Sequence, residues 1–237
     1  MRYLITLLLI IPPCISICQT YQFKDVSAND NFHASFDGER FYILYRAKER
    51  TGDNLTYYRK VFLGEELKPL DSVEYALPHQ SHWIETKDFS NHVCHLFMSS
   101  HEYHLVITNR PGEEISRIVL LRKQLRKFFT NAPAISDYHF KVLAMASKGG
   151  EDVVIIQTYR MAYRYQTSET IFGNIVAISL PSGKTLWQQV PPPNILRTVV
   201  IGNELVFVNH DSPTGNIVTY GASTVDPGIG GDPDLLR

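Results

Sequence analysis

Six of the nine histidines lie within residues 79–104, and this concentration raises the question of a metal site. Their imidazoles, with the thiol of Cys94, could supply nitrogen and sulfur ligands to zinc or copper. Successive residues of a strand point to opposite faces, however, so Cys94 and His95 cannot readily share one ion. The spacing of His101 and His104 also differs from the i, i+4 pair of a zinc-protease helix. We therefore predict no metal and no cofactor; the weaker alternative is a site drawn from His92, His95, His101 and His104.

A second candidate is a segment rich in tyrosine and arginine, residues 158–169. It is longer than its counterpart before Gly215, and long loops on a rigid scaffold often carry binding. Tyrosine and arginine are enriched at interface hot spots because they combine large area with directional polar groups. The alternative is a plain extended hairpin with these side chains alternating on its faces. The predicted binding residues are Tyr159, Arg160, Tyr163, Arg164 and Tyr165.

Motifs for nucleophilic catalysis are missing from the sequence. There is no Gly-x-Ser-x-Gly, no phosphate-cradling glycine loop and no Cys-x-x-Cys. The formal net charge is −1, and the one basic run, residues 122–127, is short. This balance argues against a nucleic-acid binder. We expect a non-catalytic protein and leave enzymatic activity open.

The first 18 residues have the parts of a secretory signal peptide. A charged start precedes an apolar run, Leu4 to Ile11, which is shorter than the roughly 20 residues that cross a hydrocarbon core. We predict cleavage before Gln19 and a secreted, periplasmic or extracellular protein without a transmembrane span. Lipidation at Cys18 and an uncleaved anchor are the alternatives. Cys94 is then the single mature thiol, so no intrachain disulfide can form.

The elements that must position these candidates read as strands. Short apolar stretches rich in Val, Ile, Tyr, Phe and Thr alternate with turn signals such as Asp37-Gly38, which is typical of an all-β chain. Residues 116–129 fit either one short helix or a strand followed by a surface loop. Four meander-like units, two of them sharing Gly-Asn-Ile-Val at 173–176 and 215–218, predict a β-propeller of about four blades over residues 19–225. Residues 226–237 are expected to form a flexible tail.

The segment 172–187 resembles the repeat of the PQQ-like (quinoprotein-type) propellers. The matching positions are Gly173, Ala177, Gly183, Lys184 and Trp187, with Gly215 opening a partial second match. The resemblance implies a blade whose third strand turns at 182–183 into an outer strand, and a Trp187 docked against the neighbouring blade. Propellers of that family mostly have more blades than this chain supplies. The ring is therefore small, partial or truncated, and residues 20–26 could close it by joining the last blade.

Three functions follow from these features. We expect an exported, non-catalytic propeller that binds a protein or envelope component. The first alternative is a quinoprotein-like, PQQ-dependent oxidoreductase or a fragment of one, which the resemblance implies would use Ca²⁺. The second is a propeller similar to the outer-membrane assembly factors, which would carry lipid on Cys18. Fold alone does not choose among them, because propellers host unrelated functions.

Overall fold

The computed structural model describes most of the chain between residues 23 and 223. The described ranges are 23, 25–27, 32–36, 40–48, 50, 52–64, 67–89, 91–129, 137–148, 151–164, 167–180, 182–191, 195–201, 204–209 and 217–223. The predicted signal peptide (1–18), Tyr165, Gly215 and the predicted tail (226–237) lie outside the described residues.

The described chain is mostly β, as predicted, and its strands form four antiparallel sheets. Sheet 1 consists of β1 (His33–Phe36), β2 (Phe41–Arg46), β3 (Leu55–Leu63) and β4 (Pro69–Pro78). Sheet 2 consists of β5 (His82–Asp88), β6 (His92–Met98), β7 (Glu102–Asn109) and β8 (Glu114–Leu121).

Sheets 3 and 4 continue the same order. Sheet 3 consists of β9 (Tyr138–Lys148), β10 (Glu151–Arg164), β11 (Thr167–Ser179) and β12 (Thr185–Gln189). Sheet 4 has three strands among the described residues, β13 (Ile195–Ile201), β14 (Glu204–Asn209) and β15 (Ile217–Ser223). In every sheet each strand pairs with the next one along the chain, so each sheet is a meander.

The burial of each strand depends on its place in the sheet. The two central strands of sheet 2, β6 and β7, are buried along nearly their whole length, including the polar residues His95, His104 and Thr108. The last strand, β8, is partly exposed and carries polar residues. The central strands are therefore covered on both faces, which requires a neighbouring sheet on each side.

Successive sheets supply that cover. Phe97 and Val106 of sheet 2 pack with Leu44 and Tyr75 of sheet 1 in one apolar cluster. A second, larger cluster joins the other face of sheet 2 to sheet 3, and a third places Phe207 of sheet 4 against sheet 3. The four sheets thus stack in chain order.

Polar side chains fix how neighbouring sheets sit on each other. The Tyr75 hydroxyl donates to the Gly112 carbonyl at 2.9 Å, and the Arg117 guanidinium donates to the Ala76 carbonyl at 2.8 Å. Between sheets 2 and 3, the Val142 amide donates to the Glu85 carboxylate at 3.0 Å. These bonds satisfy backbone groups at the sheet margins and define one alignment of the stack.

The segment 116–129 combines both predicted alternatives, a strand end and a short helix. Strand β8 ends at Leu121, and one helical turn, α1 (Arg122–Leu125), follows directly and passes into a 3-10 turn, Arg126–Phe128. Leu125 and Phe128 are buried in the cluster between sheets 2 and 3, and this anchors the turn. Its basic side chains remain outside.

The segment 20–26, expected to complete the last blade, contacts sheet 1 where it is described. Val26 forms an antiparallel bridge with Ala47, next to the end of β2. The Ser27 amide donates to the Arg46 carbonyl at 3.0 Å, and the Phe23 ring packs at a tilted angle against Tyr45 with centroids 5.2 Å apart. These residues cover the face of sheet 1 that lies away from sheet 2.

Candidate functional site

The predicted binding segment forms a hairpin extension of sheet 3. Strand β10 continues past its partner β9, whose first residue, Tyr138, pairs with Arg160. Beyond that point, within the described ranges, β10 pairs with β11 alone and ends at Arg164 opposite Thr167. The plain hairpin weighed from the sequence therefore describes the backbone of this segment. Tyr163 belongs to the extension, but its side chain and that of Arg164 are outside the described part of the structure.

Tyr159 lies at the base of this extension in an aromatic group. Its ring stacks on His139 with centroids 5.4 Å apart, and the Tyr103 hydroxyl lies 2.5 Å from Nδ1 of the same histidine. Burial is the main cause that raises the pKa of Tyr103 and of Tyr159. Burial also lowers the pKa of His139, with a further contribution from Arg122. Near neutral pH these groups are therefore uncharged hydrogen-bonding and stacking partners.

A cleft of about 580 Å³ opens beside the hairpin base. It lies where the β6–β7 turn, α1 and the start of β9 meet, and Tyr138, which pairs with Arg160, lies in its wall. Its volume falls in the range of ligand-binding sites, roughly 300–1,000 Å³. The lining residues are Ser100, His101, Leu121, Arg122, Lys123, Arg126, Asp137 and Tyr138.

Arg122 is fixed in this cleft by three contacts. Its amide donates to the His101 carbonyl at 2.9 Å. Its guanidinium donates to the Ser100 carbonyl at 3.3 Å and to the Asp137 carboxylate at 2.7 Å. A guanidinium has five N–H donors in a rigid fork. Arg122 is therefore oriented in advance and keeps donors for another group.

The cleft carries excess positive charge. Among the described lining residues, Arg122, Lys123 and Arg126 are cationic, and Asp137 is a carboxylate that already pairs with Arg122. Lys123, Arg126 and His101 are solvent-exposed. The basic run at 122–127, dismissed in the sequence as too short to matter for nucleic acid, is thus concentrated at one concave place.

The histidines considered as metal ligands do not converge. His95 is fully buried and faces sheet 1, where its ring lies 5.6 Å from that of Tyr75, whereas Cys94 faces sheet 3 and contacts the Met145 sulfur at 3.1 Å. His92 lies 3.6 Å from Asp152, and Nε2 of His104 lies 2.8 Å from Glu102. No group of three or more His, Cys, Asp or Glu suited to a metal occurs among the described residues. His101 alone of the four belongs to the cleft.

A cluster of buried polar side chains between sheets 1 and 2 was not predicted from the sequence. The Trp83 indole donates to the Thr86 hydroxyl at 3.0 Å, and that oxygen lies 2.9 Å from Nδ1 of His95. The buried Lys60 ammonium lies 4.0 Å from the centre of the Tyr42 ring. Burial, followed by the charge of Lys60, lowers the pKa of His95 well below its usual range. This histidine is therefore neutral in the folded protein.

The residues of the repeat motif lie in sheet 3. Gly173 is buried in β11, where a side chain would meet Thr158 and Phe129. Ala177 pairs with Trp187 of β12, and Trp187 packs against the cluster that contains Phe207 of sheet 4. Gly183 forms the intervening turn with a φ of 64°, a conformation that favours glycine.

Comparisons with known proteins identify no family. No family model and no curated protein matches the chain. A variant ACO/RPE65 chimera aligns at 12% identity over 81% of this chain and 45% of its own, with a TM-score of 0.42. Cobalt-substituted apocarotenoid oxygenase from Synechocystis aligns at 10% identity over 82% and 61%, with a TM-score of 0.32. The AfRom2 CNH domain aligns at 12% identity over 86% and 70%, with a TM-score of 0.28.

These likenesses are too distant to carry a functional argument. The chain spans less than half of the chimera and about three-fifths of the oxygenase. Within the described residues, no helix is long and apolar enough to cross a membrane. The cleft and the hairpin are therefore the features of the molecule that bear on its function.

Proposed function

We propose that the chain is an exported, non-catalytic module of β-propeller type that binds a protein or envelope component at the cleft and hairpin. The meander sheets act as blades, and their stacking in chain order supports the propeller. The likeness of 172–187 to PQQ-like repeats stays a prediction, as do export and the number of blades. The scaffold is rigid because successive sheets share apolar clusters.

One observation carries this proposal: the cationic cleft adjoins the base of the extended hairpin. Tyr138 belongs to the cleft wall and is the strand partner of Arg160, from which the hairpin projects. A concave charged surface beside a projecting edge offers a partner both orientation and contact area. Positive charge also steers a negatively charged partner during encounter.

Shortening the hairpin tests the proposal. Deleting residues 160–169 leaves Tyr159 opposite Phe172, their present pairing, with Thr170 and Ile171 as a two-residue loop. Changing that loop by Thr170→Asn and Ile171→Gly provides a sequence suited to a tight hairpin turn. We expect the shortened protein to keep its cooperative unfolding and to lose partner capture from the envelope fraction of the producing cells.

The control is the full-length hairpin with Lys87→Gln and Lys184→Gln, two exposed changes at the opposite end of the sheets. Capture of the same partners by the shortened, folded protein would refute a binding role for the hairpin. A rise in the melting temperature with pyrroloquinoline quinone and Ca²⁺ would instead favour the oxidoreductase alternative.

A further inference from the structure

We infer that the cleft is a binding site for a phosphate monoester group, either on a small soluble molecule or as the headgroup of an envelope lipid. The inference rests on the proposed function, because it names the chemistry that the same site would recognise. It depends on three features of the cleft: the charge, the orientation of Arg122 and the size.

The charge of the lining matches a dianion. Among the described lining residues, three side chains are cationic and one, Asp137, is a carboxylate, so the wall is predominantly basic. A phosphate monoester carries about −1.5 to −2 at pH 7, whereas a single carboxylate carries only −1. At the same position in a basic cleft, a phosphate monoester is therefore attracted more strongly than a carboxylate.

The geometry of Arg122 suits oxyanions. Its guanidinium donates hydrogen bonds to Ser100 and Asp137, which fix its position before any ligand binds. A guanidinium has five N–H donors, so others are left for a ligand. A planar guanidinium binds phosphate oxygens in a bidentate manner, which the compact ammonium of lysine cannot do. Arg122 therefore provides direction, while Lys123 and Arg126 provide charge.

The surroundings of the cleft favour a small headgroup over an extended polymer. The cleft is concave, and at about 580 Å³ it has the volume of a small-ligand site. Leu121 adds an apolar wall, and the buried Leu125 fixes the helical turn that carries the cations. The net charge of the whole chain is −1, so attraction for phosphate is local to this cleft.

The test is calorimetric titration of the full chain with glycerol phosphate, with acetate and glycerol as reference ligands. We expect binding of glycerol phosphate alone. The double substitution Lys123→Gln and Arg126→Gln should weaken it about tenfold, from the Coulomb attraction of two nearby charges after salt screening. The matched control, Lys87→Gln with Lys184→Gln, removes two charges at the other end and should leave the affinity unchanged. Arg122→Lys should also weaken binding although it keeps the charge, because the planar fork is lost.

Two vesicle compositions separate the sources of phosphate. Binding to phosphatidylcholine vesicles that contain phosphatidic acid, and not to phosphatidylcholine alone, would assign the site to a lipid headgroup. Binding of glycerol phosphate without vesicle binding would assign it to a soluble ester. Equal affinity for acetate, or equal losses in the two double variants, would overturn the inference. If the wild type binds glycerol phosphate but the Lys123→Gln, Arg126→Gln variant captures the same partners as the wild type, the proposed function alone would be overturned.

Discussion

Replacing Gly173 with alanine tests the packing that joins the hairpin base to α1. Gly173 lies in β11, at a point where the pairing of β10 with β11 shifts between Gln157 and Tyr159. A Cβ atom there would lie 2.5 Å from the Thr158 hydroxyl oxygen and 2.7 Å from the Phe129 ring. Both distances are shorter than real carbon contacts, so a neighbour must move.

Moving either neighbour would cost free energy. Thr158 is fully buried, and its hydroxyl donates to the Asn174 carbonyl at 3.0 Å. Phe129 packs against the cluster between sheets 2 and 3. Overpacking of this kind destabilises the folded state by about 1–3 kcal/mol. The lower conformational entropy of the unfolded alanine variant offsets about 0.4–1 kcal/mol of that loss.

We therefore expect Gly173→Ala to lower the free energy of unfolding by about 1–2 kcal/mol. For a domain of this size each kcal/mol corresponds to about 2–4 °C in the melting temperature. Equilibrium unfolding in urea, followed by tryptophan fluorescence, measures the free energy directly. The midpoint should fall while the slope stays constant.

Gly64→Ala is the matched control for this experiment. A Cβ at Gly64 would also make a close contact, 2.8 Å, but with a methyl carbon of Leu70, whose side chain is 62% exposed and free to rotate away. Gly64→Ala should therefore be almost neutral. A wild-type midpoint for Gly173→Ala, or the same loss of stability in both variants, would show that Thr158 and Phe129 do not restrict this position.

Three further outcomes can be measured. The folded protein keeps His95 neutral, so below about pH 6.5 this group is protonated only in the unfolded state, and the free energy of unfolding should fall by up to about 1.4 kcal/mol per pH unit. His95→Gln should make this fall smaller, and an unchanged fall would contradict a buried, neutral histidine. Burial raises the pKa of the Cys94 thiol, so a thiol reagent should label it only in denaturant, and rapid labelling of native protein would contradict its burial. Leu125→Ala should cost about 2–5 kcal/mol and weaken glycerol phosphate binding, because Leu125 anchors α1; unchanged stability and unchanged affinity would contradict that role.

The strands were largely predictable from sequence because periodicity and turn residues are local signals. The apolar stretch 55–63 coincides with β3, and the alternation of side chains along β6 correctly placed Cys94 and His95 on opposite faces. For 116–129 the sequence left a strand and a short helix as alternatives, and the segment contains the end of a strand followed by a helical turn.

The cleft was not predictable, because its parts come from separate regions of the chain. The β6–β7 turn supplies His101, α1 supplies Arg122, and Asp137 precedes β9, so only packing brings them together. The tyrosine- and arginine-rich strand end at 159–164 lies next to this cleft, because Arg160 pairs with Tyr138 of its wall, but the binding role of that segment stays a prediction. The sequence offered no signal that the basic run would lie beside it, since its anchors, Leu125 and Phe128, look like ordinary strand residues.

The meander connectivity has a consequence for how the chain acquires its structure. Each sheet needs only consecutive strands, so its contacts are close in sequence and can form quickly during synthesis. The apolar face of each completed sheet stays open until the next sheet is made, as Phe97 and Leu96 on opposite faces of β6 illustrate. During synthesis from the N-terminus, one apolar sheet face at a time is therefore exposed to solvent. The most recently completed sheet is where a chaperone would be needed.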